Sequence, residues 1–236
     1  FPLWLGFLAT FAFAVALGLI IERFALRPLI GQPLLALIMV TIGLSCLLRG
    51  VVFVVWAAAV HTYPEFLPSK GVEVGGVIIS LQHLIGFAVA MIMVAGLIYF
   101  FQRTSRGLGM RAVAEDHQSA QSTGVGVKGV FALAWVIATL VAAVGGVLLG
   151  TINGITPSLS FMGLKILPVV LLGGLDSIPG AIVGGLAVGI LENLAGGYID
   201  PIIGGGFKEV FPFVVLIFVL LVRPYGLWGL QRIERV

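Results

Sequence analysis

Long apolar runs separated by short polar clusters dominate the chain. The first covers residues 3–21 and ends at Glu22, Arg23 and Arg27, after which Pro28 and Pro33 mark a turn. The second runs from about residue 34 to 60, is interrupted by Arg49, and gives way to a polar stretch over 61–75 that holds Pro64, Glu65, Pro68, Lys70 and Glu73. The third covers 77–101 and closes at Gln102 and Arg103, and a polar segment over 103–128 separates it from a fourth over 129–152. A helix needs about 20 predominantly apolar residues to cross a bilayer, so each of these runs predicts a spanning helix.

The rest is less regular. Residues 161–174 are apolar but short, contain Lys165 and Pro168, and end in Gly173-Gly174, which predicts a broken or half-depth helix. Such a break survives in a membrane only where protein or a water-filled cavity satisfies the freed backbone groups. Asp176-Ser177-Ile178-Pro179 supplies a cap and an early proline for a helix over 178–197, and a final run over 210–222 stops at Arg223 and Pro224. The fold class is therefore all-α: a polytopic transmembrane helix bundle with broken or half helices, about six passes in one domain over 1–236, with a cytoplasmic segment at 103–128. Counting Lys and Arg on alternate sides puts Arg23, Arg27, Arg103, Arg106, Arg111, Lys128, Arg223, Arg232 and Arg235 together, against Lys70, Lys165 and Lys208. By the positive-inside rule the C-terminus is cytoplasmic, provided that 161–174 crosses.

Composition agrees. With 60% hydrophobic and 10% charged residues and a mean hydropathy of +1.18, there is too little polar surface to coat a water-soluble core. The net charge of +3 is spread through loops rather than gathered in a basic patch, so nucleic acid is not a partner. Cys46 has no second cysteine to pair with, and His61, His83 and His117 are too scattered for a metal site. Phe1 opens directly into an apolar run without an initiator Met, so the chain reads as truncated or processed.

Three sets of polar residues stand out against this background. Thr41, Ser45 and Arg49 are spaced i, i+4, i+8 and make a polar stripe on the second helix. A guanidinium within the membrane must face the bundle interior, a partner or water, and Glu192 is one candidate partner; the stripe lines a transport path or forms a structural ion pair. Asn153 and Thr156, beside Pro157 at the end of the fourth run, present polar groups to a substrate or simply finish a helix. Gln82 and His83 are similarly ambiguous. In the 103–128 segment, residues 108–115 favour helix, Asp116 can cap a further turn and a half, and Gly124 can end it. A short surface helix of this kind is either a docking knob for a soluble partner or an interfacial linker lying on anionic headgroups. Gly146/Gly150, Gly180/Gly184 and Gly185/Gly189 have the four-residue spacing that lets helices approach closely.

Four separated motifs resemble the LivH-type permeases of branched-chain amino-acid ABC transporters. They are Ile21-Glu22-Arg23-Phe24-Ala25-Leu26-Arg27-Pro28-Leu29; Met110-Arg111-Ala112-Val113-Ala114-Glu115-Asp116 leading to Gly124-Val125; Leu172-Gly173-Gly174-Leu175-Asp176-Ser177-Ile178-Pro179-Gly180; and Arg223-Pro224-Tyr225-Gly226-Leu227-Trp228-Gly229. The resemblance implies a non-catalytic subunit of the bacterial inner membrane. Its expected partners are a second homologous permease, two cytoplasmic ATPases that hold the ATP, and a periplasmic substrate-binding protein; no cofactor is bound directly. It also implies that Asp116, His117, Ser119, Ala120 and Gly124 couple the chain to an ATPase. Members of the family begin with about two further apolar segments, which this chain lacks.

Two other classes are open on the residues alone. An intramembrane enzyme would need a nucleophile with a base or paired carboxylates, and Glu192 is the main acidic candidate in the spans. A channel would need charge rings or a carbonyl filter, which the sequence does not display. Within the transporter class, urea, short amides or other neutral amino acids are the alternatives to leucine, isoleucine and valine.

Overall fold

The computed structural model describes residues 2–57, 59–64, 71–74, 76–157, 159–174, 177–223 and 226–229, with backbone alone at 34, 72, 74, 77, 117 and 118. Phe1, Glu65, Pro68, Lys70, Leu175, Asp176, Pro224, Tyr225, Arg232 and Arg235 lie outside the described residues. The chain divides into two compact units, Phe1–Pro157 and Ser158–Val236.

In the first unit, α1 (Leu3–Ile20) does not stop at its charged cluster. It continues through a π-helical turn, Ile21–Leu26, and a 3₁₀ turn, Arg27–Leu29, giving a span of 27 residues. The widening has a local purpose. Residues five apart are about 1.4 turns apart in an α-helix and point different ways, whereas i→i+5 geometry brings them together. Arg27 Nε thus donates to Glu22 Oε1 at 3.2 Å, and Glu22 is buried. Next come α2 (Leu34–Trp56), a two-stranded antiparallel hairpin of β1 (Gly71–Val74) and β2 (Val77–Ser80), α3 (Leu81–Arg103), α4 (Ser105–Glu115), α5 (His117–Ser122) and α6 (Val127–Asn153). The expectation that helix begins at residue 77 is corrected here, since 77–80 pair with 71–74 and the helix starts at Leu81.

Helix α1 packs along α6 at a close approach. Gly18 is buried, and a Cβ there would lie 2.5 Å from Thr139 Oγ1, whose hydroxyl is itself turned back onto Trp135 O at 2.9 Å. Past α2, the chain crosses the end of α6 by a single antiparallel bridge, with His61 N donating to Ile155 O (3.0 Å) and Ile155 N to His61 O (2.7 Å).

In the second unit the expected broken helix is present as α7 (Leu159–Leu164) and α8 (Ile166–Gly173), interrupted at Lys165. Ser177 caps α9 (Ile178–Leu194) by accepting from Gly180 N at 3.0 Å, with Pro179 in the first turn, where its missing donor is harmless. A π turn, Ala195–Ile199, carries α9 into α10 (Asp200–Ile203), so this span reaches 26 residues rather than ending near residue 197. Gly204, Gly205 and Gly206 all have positive φ and make the turn into α11 (Phe207–Val222), which Asp200 Oδ1 caps by accepting from Phe207 N and Lys208 N.

α8 and α9 meet backbone to backbone. A Cβ on Gly184 would lie 2.8 Å from Val169 O, and Gly173 and Gly180 abut each other's main chain. Gly189 has nothing within 4 Å and Gly146 likewise, so of the three glycine pairs only Gly180/Gly184 serves a helix crossing. Where α8 ends, at Gly174 with φ +102, the late segment 226–229 lies against it: Leu227 N donates to Leu172 O (2.9 Å) and Trp228 N to Gly173 O (3.1 Å). Two of the four sequence motifs are therefore one structural feature.

Among the described residues, five helical segments have the length and apolarity to cross a membrane; the 159–173 segment and α11 are shorter. Their side chains face outward, as Val54 at 87% and Leu221 at 80% exposure show, which suits hydrocarbon and not water.

Gly184→Leu should overpack the α8–α9 crossing, a loss of about 1–3 kcal/mol, and lower the melting temperature of detergent-purified protein by several degrees. Gly189→Leu, which points into open space, should leave it unchanged.

Candidate functional site

The polar segment at 103–128 is a built structure. α3 ends at Arg103, and Thr104 turns the chain by two bonds, its hydroxyl donating to Phe100 O (2.6 Å) while accepting from Gly107 N (3.0 Å). Gly107 is required by space, because a Cβ there would lie 2.7 Å from Phe101 Cα. α4 consequently doubles back against α3 and α6, with Val113 buried.

At Asp116 the backbone is extended (φ −154°, ψ 117°), which separates α4 from α5. Its carboxylate accepts from Ser119 N (Oδ1, 3.4 Å) and Ser119 Oγ (Oδ2, 2.8 Å), capping α5. At the other end Gly124 has φ +86°, Gly124 N donates to Gln121 O and Val125 N to Ala120 O, both at 3.1 Å. That 5→2 and 6→1 pair is the Schellman ending, in which the left-handed position favours glycine. Ser119 and Gly124 are exposed, whereas Ala120 is buried at 4% and packs inward. Of the residues expected on the docking face, Ala120 is therefore a packing residue; the His117 side chain is outside the described residues.

The intramembrane candidates divide between the units. Thr41, Ser45, Arg49, Asn153 and Thr156 belong to the first. The Thr41 hydroxyl donates to Leu37 O (3.0 Å) and Ile38 O (2.9 Å), so its own helix satisfies it; Ser45 is exposed. Arg49 is half-buried with its Nε enclosed. Asn153 is the exposed last residue of α6, and Thr156 follows the bridge to His61, half-buried. Glu192 belongs to the second unit, and its Oε1 receives Lys165 Nζ at 2.5 Å. Glu192, one candidate partner for Arg49 on the sequence, takes a cation from its own unit, Lys165 at the turn between α7 and α8. Lys165 joins the site only in the structure; its signal in the sequence is a lysine inside an apolar run that also holds a helix break. Among the described residues, His, Cys, Asp and Glu form no cluster that could hold a metal ion.

Spanning-length apolar helices with a capped polar helix pair between two of them mark a multi-pass membrane protein, and sequence comparison specifies which kind. Residues 1–220 match the family described as "Branched-chain amino acid transport system / permease component", and the chain belongs to that family. It is 36% identical over 237 residues to the high-affinity branched-chain amino acid transport system permease protein BraD of Pseudomonas aeruginosa, covering 98% of this chain and 76% of that one. It is 35% identical over 238 residues to LivH of Escherichia coli K12, with the same coverage, and 31% identical over 147 residues to a probable LivH of Methanocaldococcus jannaschii, covering 61% of this chain and 47% of that one. No solved structure matches the chain.

Asp116→Ala removes the α5 cap, a loss of about 1 kcal/mol. Amide hydrogen exchange at residues 119–122 should accelerate about fivefold, with exchange in α3 and α6 unchanged.

Proposed function

We propose that the chain is the transmembrane permease subunit of an ATP-binding-cassette importer for branched-chain amino acids, and that the turn from Asp116 to Gly124 is where a cytoplasmic ATPase docks. What carries the docking assignment is the construction of α5: six residues capped at both ends, exposed on one side and anchored by Ala120 on the other. A helix so short has no stability of its own in water. Its caps and its anchor make it a rigid projection, as a coupling element must be.

The path of the motion follows from packing in the first unit. α5 touches α4 and α6, α4 rests on α3 and α6, and α6 packs along α1. A displacement of α5 is thus delivered to α6 directly, to α3 through α4, and to α1 through the close contact at Gly18. ATP binding to the partner subunits supplies the bias by favouring one arrangement over the other, since a ligand with equal affinity for both shifts nothing. This chain hydrolyses nothing. Its remaining partners are a second homologous permease and a periplasmic binding protein that delivers the solute.

The protein lies in the bacterial inner membrane. The apolar helical segments among the described residues number seven, one more than the expected six passes, and if all of them cross, residues 103–128 and Arg223 share a face. With Lys165 withdrawn into an ion pair, that face holds nine Lys and Arg residues and the other holds Lys70 and Lys208, an arrangement that makes the C-terminus cytoplasmic.

Tagged protein extracted from native membranes with its neighbours should carry an ATPase subunit, and the complex should import labelled leucine when its binding protein is added. Ser119→Arg, on the exposed side of α5, should reduce ATPase recovery by about tenfold (about 1.4 kcal/mol) at unchanged permease level. Unchanged recovery would remove the docking assignment. Uptake of leucine that unlabelled urea or acetamide abolishes, and isoleucine does not, would move the substrate to the amide class.

A further inference from the structure

The ion pair between Lys165 and Glu192 is placed unlike the other charges of the second unit. Asp200 caps α11, and Lys208 stands in the first turn of that helix and reaches back to Asn193 Oδ1, one residue past Glu192, at 3.3 Å. Glu192 stands fourteen residues beyond Ile178 in a span of 26, about 21 Å along its axis and close to its middle. Lys165 lies eight residues before the end of α8, about 12 Å from the same end of the unit, at the break between two half-helices. The lysine stem covers the remaining difference in depth. Glu192 shares a face of α9 with Gly184 and the buried Val188, so the pair is held at the α8–α9 contact.

Its exposure is intermediate, 23% for the Lys165 side chain and 16% for that of Glu192. Both groups therefore keep a minor part of their surface accessible while most of it is enclosed by the second unit. Opposite charges at mid-membrane are expensive to keep, and they mark substrate paths when found at discontinuous helices.

Resting on the reading as an amino-acid importer, we propose that Lys165 and Glu192 are the point at which the permease receives the two charges of its substrate. Lys165 takes the α-carboxylate and Glu192 the α-ammonium of a zwitterionic amino acid. The chemistry is an exchange of partners. A zwitterion entering hydrocarbon loses the hydration of two opposite charges at once. A lysine and a glutamate that already neutralise each other can separate and take one charge each, leaving the net charge of the site at zero throughout. Urea or an aliphatic amide has no charge to offer and cannot displace either group from the other. The pair therefore selects the amino-acid class, while the apolar side chain is left to its surroundings.

The test uses the complete transporter in proteoliposomes with its binding protein, reading uptake of labelled leucine and binding-protein-stimulated ATP hydrolysis in parallel. Lys165→Met and Glu192→Gln should each lower uptake by about tenfold or more while the complex still assembles and hydrolyses ATP. The exchanged pair, Lys165→Glu with Glu192→Lys, should not recover it, because the polarity of the site is reversed against a substrate delivered in one orientation. Normal uptake in the single variants, or recovery in the exchanged pair, would show a structural staple and overturn the proposal. The wild-type permease–ATPase complex without binding protein gives a measurement independent of any variant's folding. In saturation-transfer NMR, leucine should give a signal, and isocaproate and isoamylamine, which lack one charge each, should not; an equal signal from either overturns the proposal. Failure of the wild-type transporter to import any branched-chain amino acid would instead remove the functional reading on which the site rests.

Discussion

A bilayer core offers no hydrogen-bond partner to a stray amide or carbonyl, and the form of this protein follows from that constraint. Regular helix answers it for most of the chain. The instructive places are where the helix is not regular, because each is matched by a specific compensation. The π turn at Ile21–Leu26 is closed by the Arg27 amide donating to Glu22 O, beside the ion pair of the same two residues. At Lys165 the amide donates to Met162 O (3.2 Å) and the carbonyl accepts from Val169 N (3.4 Å), while the side chain bridges to Glu192. The end of α8 at Leu172 and Gly173 is met by the amides of Leu227 and Trp228, drawn from a distant part of the sequence.

Close backbone approach is the second means by which the units hold together. Lipid supplies little hydrophobic drive for one apolar helix to leave it for another, so contact area and dispersion must do more. Gly18 against Thr139 in one unit and Gly180 with Gly184 against α8 in the other reach that contact by removing the side chain altogether. At Gly180 and Gly184 this packing sets backbone on backbone, which also transmits displacement well. The same economy makes α4 a credible lever, with Gly107 set against the last turn of α3.

Much of the architecture was legible in the sequence because it depends on local composition. The starts of α2 and α11 and the bounds of α6 lie within a few residues of the apolar runs, and Asp116 and Gly124 occupy the caps that their side-chain chemistry and φ preference predict. What was hidden depends on partners distant in sequence. The hairpin at 71–80 escaped because Val77-Ile78-Ile79 is as apolar as the helix that follows, and only pairing with β1 marks it as strand. The continuation of α1 past Arg23 was masked by the cluster of Glu22, Arg23 and Arg27, of which the π turn buries Glu22. Of the candidate site, Glu192 is legible as an acid within an apolar helix, whereas the role of Lys165 depends on a partner 27 residues away in sequence.

The strap across the end of α8 also orders events in time. The carbonyls of Leu172 and Gly173 are synthesised more than fifty residues before the amides of Leu227 and Trp228 that receive them. At ordinary translation rates that interval is about 3 to 11 s. Throughout it, the turn between α8 and α9 lacks its final covering, and water or the insertion machinery must stand in. The second unit is thus completed by its latest segment rather than helix by helix, which makes its maturation a single late event.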